Sequence, residues 1–243
     1  MTGPEEPWLL VSDIDDTLTG DAAALDRLWS ALRRAEGRVK LALNSSRPAA
    51  SVDRTLAEEF PAGFAADAVV TALGTEIRIG GAWHAGWADR FADWPRDEIA
   101  ALVESLGYAP HAAEFQSRAK ASFAVPGPAA RDRVLAALAA AGLTARAIFS
   151  GQSDLDLIAP AAGKDAATRF LAENFGIPLP RVIAAGDSGN DLAMFEASGH
   201  AIAVGNARAE LLDALPPGKA YRARAAHAAG VLEGLIRLGV LPG

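Results

Sequence analysis

Leu9-Leu10-Val11-Ser12-Asp13-Ile14-Asp15-Asp16-Thr17-Leu18-Thr19 starts as an apolar run and turns acidic, with three carboxylates inside four residues. The apolar part predicts a buried strand, and the acidic end predicts a turn where that strand leaves its sheet. Like charges so close together repel one another and resist desolvation, so a cation or a reaction is needed to hold them there. The alternative is a solvated acidic turn opening a helix, with one aspartate as its N-cap. The rest of the chain decides between the two.

Further strand-like runs at 39–44, 67–72, 181–186 and 200–204 alternate with Ala/Leu-rich segments of helical spacing at 22–35, 48–59, 164–175, 189–198 and 207–215. Such alternation predicts an α/β fold, a Rossmann-like parallel sheet with helices on both faces. Runs as uniformly apolar as Val182-Ile183-Ala184-Ala185 suit strands buried on both sides. Ligands of such sheets sit at the carboxyl ends of the strands, and the acid-rich stretches after Val11 and after Ala185 both fall there. Residues 81–160 have a different texture, with a helix near 95–107, a strand at 120–125, a helix at 128–141 and a strand pair at 145–149 and 155–158. This predicts an inserted α+β cap domain at 81–160, within a catalytic core formed by 1–80 and 161–243.

The composition narrows the function classes. The chain has 243 residues, 51% of them hydrophobic, with no cysteine and a net charge of −7. The missing cysteines exclude disulfide and thiolate chemistry and fit a cytoplasmic setting. The negative charge argues against nucleic acid as the main partner. No apolar run approaches the ~20 residues of a bilayer span, and the acidic Met1–Glu6 stretch is unlike a signal peptide. An anionic substrate therefore needs local positive charge.

Four separated pieces supply it at the predicted strand ends: Asp13, Asp15 and Thr17; Asn44-Ser45-Ser46-Arg47; Lys164 at the start of a helix; and Gly186-Asp187-Ser188-Gly189-Asn190-Asp191. Together they offer carboxylates for a hard divalent cation, and a hydroxyl, a lysine and backbone N–H groups for a phosphate. The clustered donors are oxygens, which suit magnesium better than zinc. A lysine in the first turn of a helix is unfavourable by itself, so Lys164 implies a compensating anion nearby.

The order Asp-x-Asp-x-Thr, strand–Ser, Lys, Gly-Asp-x-x-Asn-Asp resembles the four motifs of the haloacid dehalogenase superfamily. The flanks resemble its sucrose-phosphate phosphatase branch: Ser45-Ser46-Arg47-Pro48, Thr71-Ala72-Leu73-Gly74-Thr75-Glu76-Ile77, Val204-Gly205-Asn206-Ala207 and the tail from Tyr221 through His227 to Gly230. The resemblance implies that Asp13 attacks phosphorus, that Asp15 is general acid and then base, and that Ser45, Lys164 and Asn190 hold the phosphoryl oxygens. It implies magnesium on Asp13, the backbone carbonyl of Asp15, Asp187 and Asp191, the last directly or through water. Arg47 is either a substrate contact or half of a structural ion pair. Glu76 and Lys120 are candidate sugar contacts, against the alternatives of a helix cap and a lysine lying along the surface. Asp16 is left as a turn residue or N-cap.

Ser45 is the expected phosphate hydroxyl, although Ser46 stands where the family commonly has glycine and competes for the role. Gln152 and Ser153 occupy a loop where the branch can carry a lysine. Trp83, Trp87 and Trp94, spaced four and then seven apart, fit a buried helix face better than a sugar-stacking platform. Two decoys are set aside: Gly186-Asp187-Ser188-Gly189, which mimics a serine-protease nucleophile box, and the glycosylation sequon at Asn44. The implied reaction is magnesium-dependent hydrolysis of sucrose 6-phosphate, or of another disaccharide phosphate such as mannosylfructose phosphate. The rival from another class is a non-catalytic sugar-phosphate-binding subunit partnered with a sucrose-phosphate synthase.

Overall fold

The computed structural model describes residues 6–35, 37–215 and 217–242; the acidic stretch up to Glu5 lies outside them. Strand β1 (Trp8–Ser12) leads to helix α1 (Ala22–Arg34), which Asp21 caps by accepting Ala24 N–H at 2.9 Å. Strand β2 (Val39–Asn44), helix α2 (Ala49–Glu59) and strand β3 (Ala68–Thr71) follow, then an antiparallel hairpin of β4 (Glu76–Ile79) and β5 (Ala82–Trp83) and a short helix α3 (Ala85–Ala88). Next come α4 (Arg96–Ser105), β6 (Lys120–Ala124), α5 (Gly127–Ala140), β7 (Arg146–Ser150) and β8 (Asp154–Ile158). The chain then adds α6 (Lys164–Asn174), β9 (Val182–Gly186), α7 (Leu192–Ala197), β10 (His200–Ala203), α8 (Ala209–Asp213), β11 (Ala220–Arg222) and α9 (His227–Arg237).

The large sheet runs β11-β10-β9-β1-β2-β3-β4-β5, parallel from β11 to β3 and antiparallel at the β4–β5 edge. Alternate residues of β1 serve opposite faces. Leu9 and Val11 pack toward Leu171, Met194 and Phe195, whereas Leu10 packs with Leu28, Val231 and Leu235. Each such side chain, fully buried, contributes about 1.5–3 kcal/mol. Because β1 pairs with β2 on one side and β9 on the other, it sits where the winding direction reverses, and a crevice opens there. Among the described residues no helix is long and apolar enough to cross a membrane.

The smaller sheet, β6-β8-β7, is antiparallel and has its own core, in which Phe123, Leu155 and Leu157 meet Ile99, Val103, Val134 and Leu138 from α4 and α5. Residues 82–91, assigned to the insertion from sequence, pack with the large sheet instead. β5 is that sheet's edge strand, and the buried Trp87 and Phe91 join its core. A buried indole needs an acceptor, and Trp87 Nε1 finds one in the Gly74 carbonyl at 3.1 Å. The three tryptophans therefore part company: Trp87 is fully buried, Trp94 donates to Thr144 O at 2.9 Å, and Trp83 is 57% exposed.

Candidate active site

Three strand ends, those of β1, β2 and β9, and one helix start converge here. Asp13 follows β1 directly, and its N–H donates to Ala185 O on β9 at 2.9 Å, which ties the two acidic loops together. Ser45 follows β2, Lys164 opens α6, and Asp187 to Asp191 follow β9. Asp13, Ser45, Lys164, Asp187 and Asp191 are all buried.

Lys164 is the hub. Its Nζ donates to Asp13 Oδ1 at 2.6 Å, Asp191 Oδ1 at 2.6 Å and Asn190 Oδ1 at 2.9 Å. The anion implied by a cation at a helix start is thus two carboxylates from loops more than 25 residues away in sequence. Burial by itself would drive the lysine toward neutrality, but Asp13 and Asp191 outweigh it and hold its proton more firmly than usual. Asn44 Nδ2, buried next to Ser45, donates to the Lys164 carbonyl at 3.0 Å and so fixes where α6 begins. This contact went unread in the sequence, where Asn44 appears only as a strand end and a sequon. Its full burial removes the sequon from consideration.

Asp13, Asp187 and Asp191 bring carboxylate oxygens within 4.8 Å of one another. Burial, then repulsion from Asp191, raises the proton affinity of Asp187 to a pKa of about 6. The Asp13 carboxyl is raised too, by burial that the Lys164 ammonium only partly offsets. Three buried carboxylates share one buried ammonium, and the largely exposed Arg208, with Nε 3.7 Å from Asp187 Oδ2, offsets them only in part, so an all-oxygen donor set is left short of positive charge. That deficit and that donor set suit a hard divalent cation, so the residues fit magnesium. Asp191 Oδ2 also accepts the N–H groups of Asp187 and Ser188 at 3.1 and 3.2 Å, and Ser188 closes a capping box with it. The serine of the protease-like decoy is therefore a turn cap. Gly186 lacks a side chain for a concrete reason: a Cβ there would lie 2.5 Å from Asp191 Cγ.

Asp15 stands apart from this cluster. Its side chain is 48% exposed, and Arg47 Nε lies 2.8 Å from its Oδ2. Arg47 also donates to Ser51 and Thr55 hydroxyls at 3.2 and 3.0 Å, so α2 holds the guanidinium. Ser45 Oγ accepts Arg47 N–H at 3.1 Å, leaving its own hydroxyl proton to donate. A cavity of about 320 Å³ reaches from Ser46 and Arg47 to His111, Lys120, Ser122 and Asp156 on the smaller sheet's side. Small-molecule sites start near 300 Å³. There Lys120 Nζ lies 3.1 Å from Asp156 Oδ1, and Ser122 donates to the same carboxylate. Glu76 is elsewhere: it accepts the Thr71 hydroxyl at 2.9 Å between β3 and β4 and does not line this cavity. Gln152 and Ser153 form the β7–β8 turn, where their carbonyls accept N–H groups from Gly127 and Val125.

Sequence reading missed His111, Ser122, Asp154 and Asp156. For the last two a signal existed, since Asp154-Leu155-Asp156-Leu157 alternates strictly and the leucines face the small core. It also missed Arg146, which donates from β7 to Asp165 Oδ1 at 2.5 Å and Ala162 O at 3.2 Å, beside the start of α6.

The family model for sucrose-6F-phosphate phosphohydrolase matches residues 6–239. The mannosylfructose-phosphate phosphatase of Agrobacterium fabrum is 32% identical, over 96% of this chain and 98% of that protein. Sucrose-phosphatase 1 of Nicotiana tabacum is 28% identical over 93% of this chain, which spans only 58% of that longer protein. The crystal structure of the Synechocystis sucrose-phosphatase, in complex with sucrose and phosphate, superposes with a TM-score of 0.88 at 29% identity, covering 98% of this chain and 100% of that one. The chain is a phosphoric monoester hydrolase and belongs to the sucrose-6F-phosphate phosphohydrolase family of the haloacid dehalogenase superfamily.

Proposed function

We propose that the chain is a magnesium-dependent phosphatase that hydrolyses sucrose 6-phosphate to sucrose and phosphate through an aspartyl-phosphate on Asp13. One observation carries this reading: Asp15, two residues along the chain from the Asp13 of the carboxylate–lysine cluster, pairs with Arg47, which lines a polar cavity reaching the smaller sheet. A phosphoryl group fits at the cluster and a sugar in the cavity. The smaller sheet with α4 and α5 is the cap in this reading, and the rest of the chain, including residues 82–91, is the core.

In the first step an Asp13 oxygen bonds to phosphorus as the bond from phosphorus to the sugar oxygen breaks, and Asp15 gives that oxygen its proton. In the second step water attacks the same phosphorus, Asp15 takes the water's proton, and the Asp13–phosphorus bond breaks to release phosphate. Lys164 and the Ser45 hydroxyl donate to the phosphoryl oxygens in both steps. Asn190, through its 2.9 Å contact, keeps the ammonium aimed. Asp13 and Asp187 would hold magnesium, with Asp191 direct or through water and the Asp15 carbonyl as a further donor. When bound, the ion supplies the positive charge that lets a carboxylate approach a phosphate dianion.

A second substrate, mannosylfructose phosphate, is favoured by the identity to the Agrobacterium phosphatase along almost the whole of both chains. Glucose and mannose differ only in configuration at C2, so the choice between them rests on the cap side of the cavity, with Lys120, Ser122, Asp156 and His111 as the groups within reach. The absence of cysteine supports a cytoplasmic setting.

The test is phosphate release by the chain alone, with magnesium, from both disaccharide phosphates and from simple hexose phosphates, beside Asp13→Asn. Preference for sucrose 6-phosphate, lost in the variant, supports the proposal. Preference for another sugar phosphate keeps the chemistry and retires the substrate. No release from any of them would favour a non-catalytic subunit of a synthase.

A further inference from the structure

Two side chains from the last third of the chain close on one backbone oxygen in the acidic turn. Asn206 Nδ2 donates to the Asp16 carbonyl at 2.7 Å, and His227 Nδ1 lies 3.0 Å from the same oxygen. A carbonyl can only accept, so in this contact His227 Nδ1 carries the proton and donates it. The bracket is cross-braced, because His227 N–H donates to Asn206 Oδ1 at 2.8 Å.

Both ends of the bracket are strained. Asp16 has φ 57° and His227 has φ 52°, the left-handed region that side chains avoid. Such a backbone persists where its surroundings hold it. The third partner has given way sterically: Gly20 lies against the His227 ring, and a Cβ there would be 2.6 Å from its Cε1. The same loop reaches the carboxylate cluster, since Arg208 N–H donates to Asp187 O at 2.7 Å and Arg208 Nη2 lies 3.6 Å from Asp16 Oδ2.

The turn is also anchored on either side of its apex, where Ile14 O accepts Leu18 N–H at 2.8 Å and Thr19 N–H at 3.1 Å and the buried Thr17 hydroxyl donates to Asp187 Oδ1 at 3.2 Å. Its apex, Asp16, is held from outside. Asp15 lies between these anchors, half-exposed, with Arg47 alone beside its carboxylate among the contacts of the described residues. We propose that Asn206 and His227 are positioning residues, which clamp the Asp16 carbonyl and thereby set where the Asp15 carboxylate stands relative to the leaving oxygen. The proposal rests on the reading of Asp15 as general acid.

The experiment separates acid catalysis from general damage by leaving group. Nitrophenolate departs as a stable anion and needs no proton, whereas a sugar alkoxide does. The kcat/KM value covers every step through departure of the leaving group. The readout is the ratio of kcat/KM for the best sugar phosphate of the panel above to kcat/KM for p-nitrophenyl phosphate. A carboxylate displaced by about 1 Å costs on the order of a hundredfold. Asn206→Ala, Asn206→Asp and His227→Ala are expected to lower the ratio by about ten- to a hundredfold. His227→Asn, which keeps a side-chain N–H donor and tolerates the left-handed backbone, restores most of it. A purely structural lock lowers both rates together, so an unchanged ratio in the first three variants overturns the proposal. Asp15→Asn is the reference. If its ratio falls while those of the Asn206 and His227 variants do not, the bracket fails alone; if its own ratio stays put, the reading of Asp15 fails and the bracket with it.

Discussion

Lys164→Met removes the one ammonium that the buried Asp13 and Asp191 carboxylates share, while the unbranched thioether keeps roughly the same volume along the stem. Three hydrogen bonds go, at 2.6, 2.6 and 2.9 Å, and three carboxylates are left facing one another with only the exposed Arg208 guanidinium, 3.7 Å from Asp187, as a counter-charge. Breaking one buried pair costs about 3–5 kcal/mol. For a chain of this size each kcal/mol moves the melting midpoint by about 2–4 °C, so metal-free Lys164→Met should melt roughly 6–20 °C below the parent at pH near 8. Near pH 5 the loss should shrink, because carboxyls whose proton affinity burial has raised then carry protons and no longer need the lysine. Calorimetry at both pH values measures this, and Lys164→Met/Asp191→Asn completes a double-mutant cycle in which the second change recovers part of the loss. A variant melting within about 2 °C of the parent at the higher pH would refute the charge argument, since a kcal/mol or less is what a solvent-screened pair is worth.

Other consequences follow from the same geometry. Asp187 titrates near 6 in the folded chain against 3.8 for the free side chain, so the folded state binds more protons than the unfolded one between those values. Metal-free stability should therefore fall as pH rises from about 4 to about 7, and magnesium should restore most at the upper end. Urea midpoints with chelator and with magnesium check this, and metal-free stability rising across that window would contradict it. Lys120→Ala should raise KM for the disaccharide phosphate about tenfold or more, the worth of a charged hydrogen bond, with kcat little changed. An unaltered KM would take Lys120 out of the sugar site. Trp87→Ala empties a fully buried indole and orphans the Gly74 carbonyl, which should cost about 3–5 kcal/mol in a denaturant titration. A cost below about 1 kcal/mol would mean that residues 82–91 are not part of the large core.

The parallel strands β1, β2, β3, β9 and β10 were readable because each is a short, largely buried apolar run, and three of the four motifs because each ends such a run. Strand β11 is half-exposed and was not read, and Lys164 was readable as a cation opening a helix. The hairpin β4–β5 escaped because its strands, Glu76–Ile79 and Ala82–Trp83, are half-solvated edges with no continuous apolar signal. Trp87 was placed in a core from its spacing, but spacing cannot say which core. That depended on a carbonyl at Gly74 that only the folded chain brings near. In the smaller sheet, Lys120 was singled out by resemblance, while its partner Asp156 required the register in which Lys120 faces Ile158 and Asp156 lies one diagonal away. Asn206 and His227 were quoted only as flanks, because a side chain that holds a distant backbone carbonyl leaves no pattern in a single sequence.

Asp13 and Asp15 are two residues apart at the end of one strand, yet the fold gives them opposite surroundings. The Asp13 side chain is 8% exposed and bonded to an ammonium, whereas Asp15 is 48% exposed and faces a guanidinium at the cavity mouth. In the proposed reaction that division has a physical basis. A nucleophile gains from losing its water shell next to a fixed positive charge that the incoming phosphate shares. An acid that must next serve as base has to exchange protons with the leaving sugar and then with water, so it must remain within reach of both. Arg47 satisfies the second need without burying it: α2 holds the guanidinium by two hydroxyls, and the carboxylate beside it keeps half its surface open. In the same proposal the Asn206–His227 bracket adds to this, because packing does not place a half-exposed carboxylate and its backbone can, alongside the Arg47 pair.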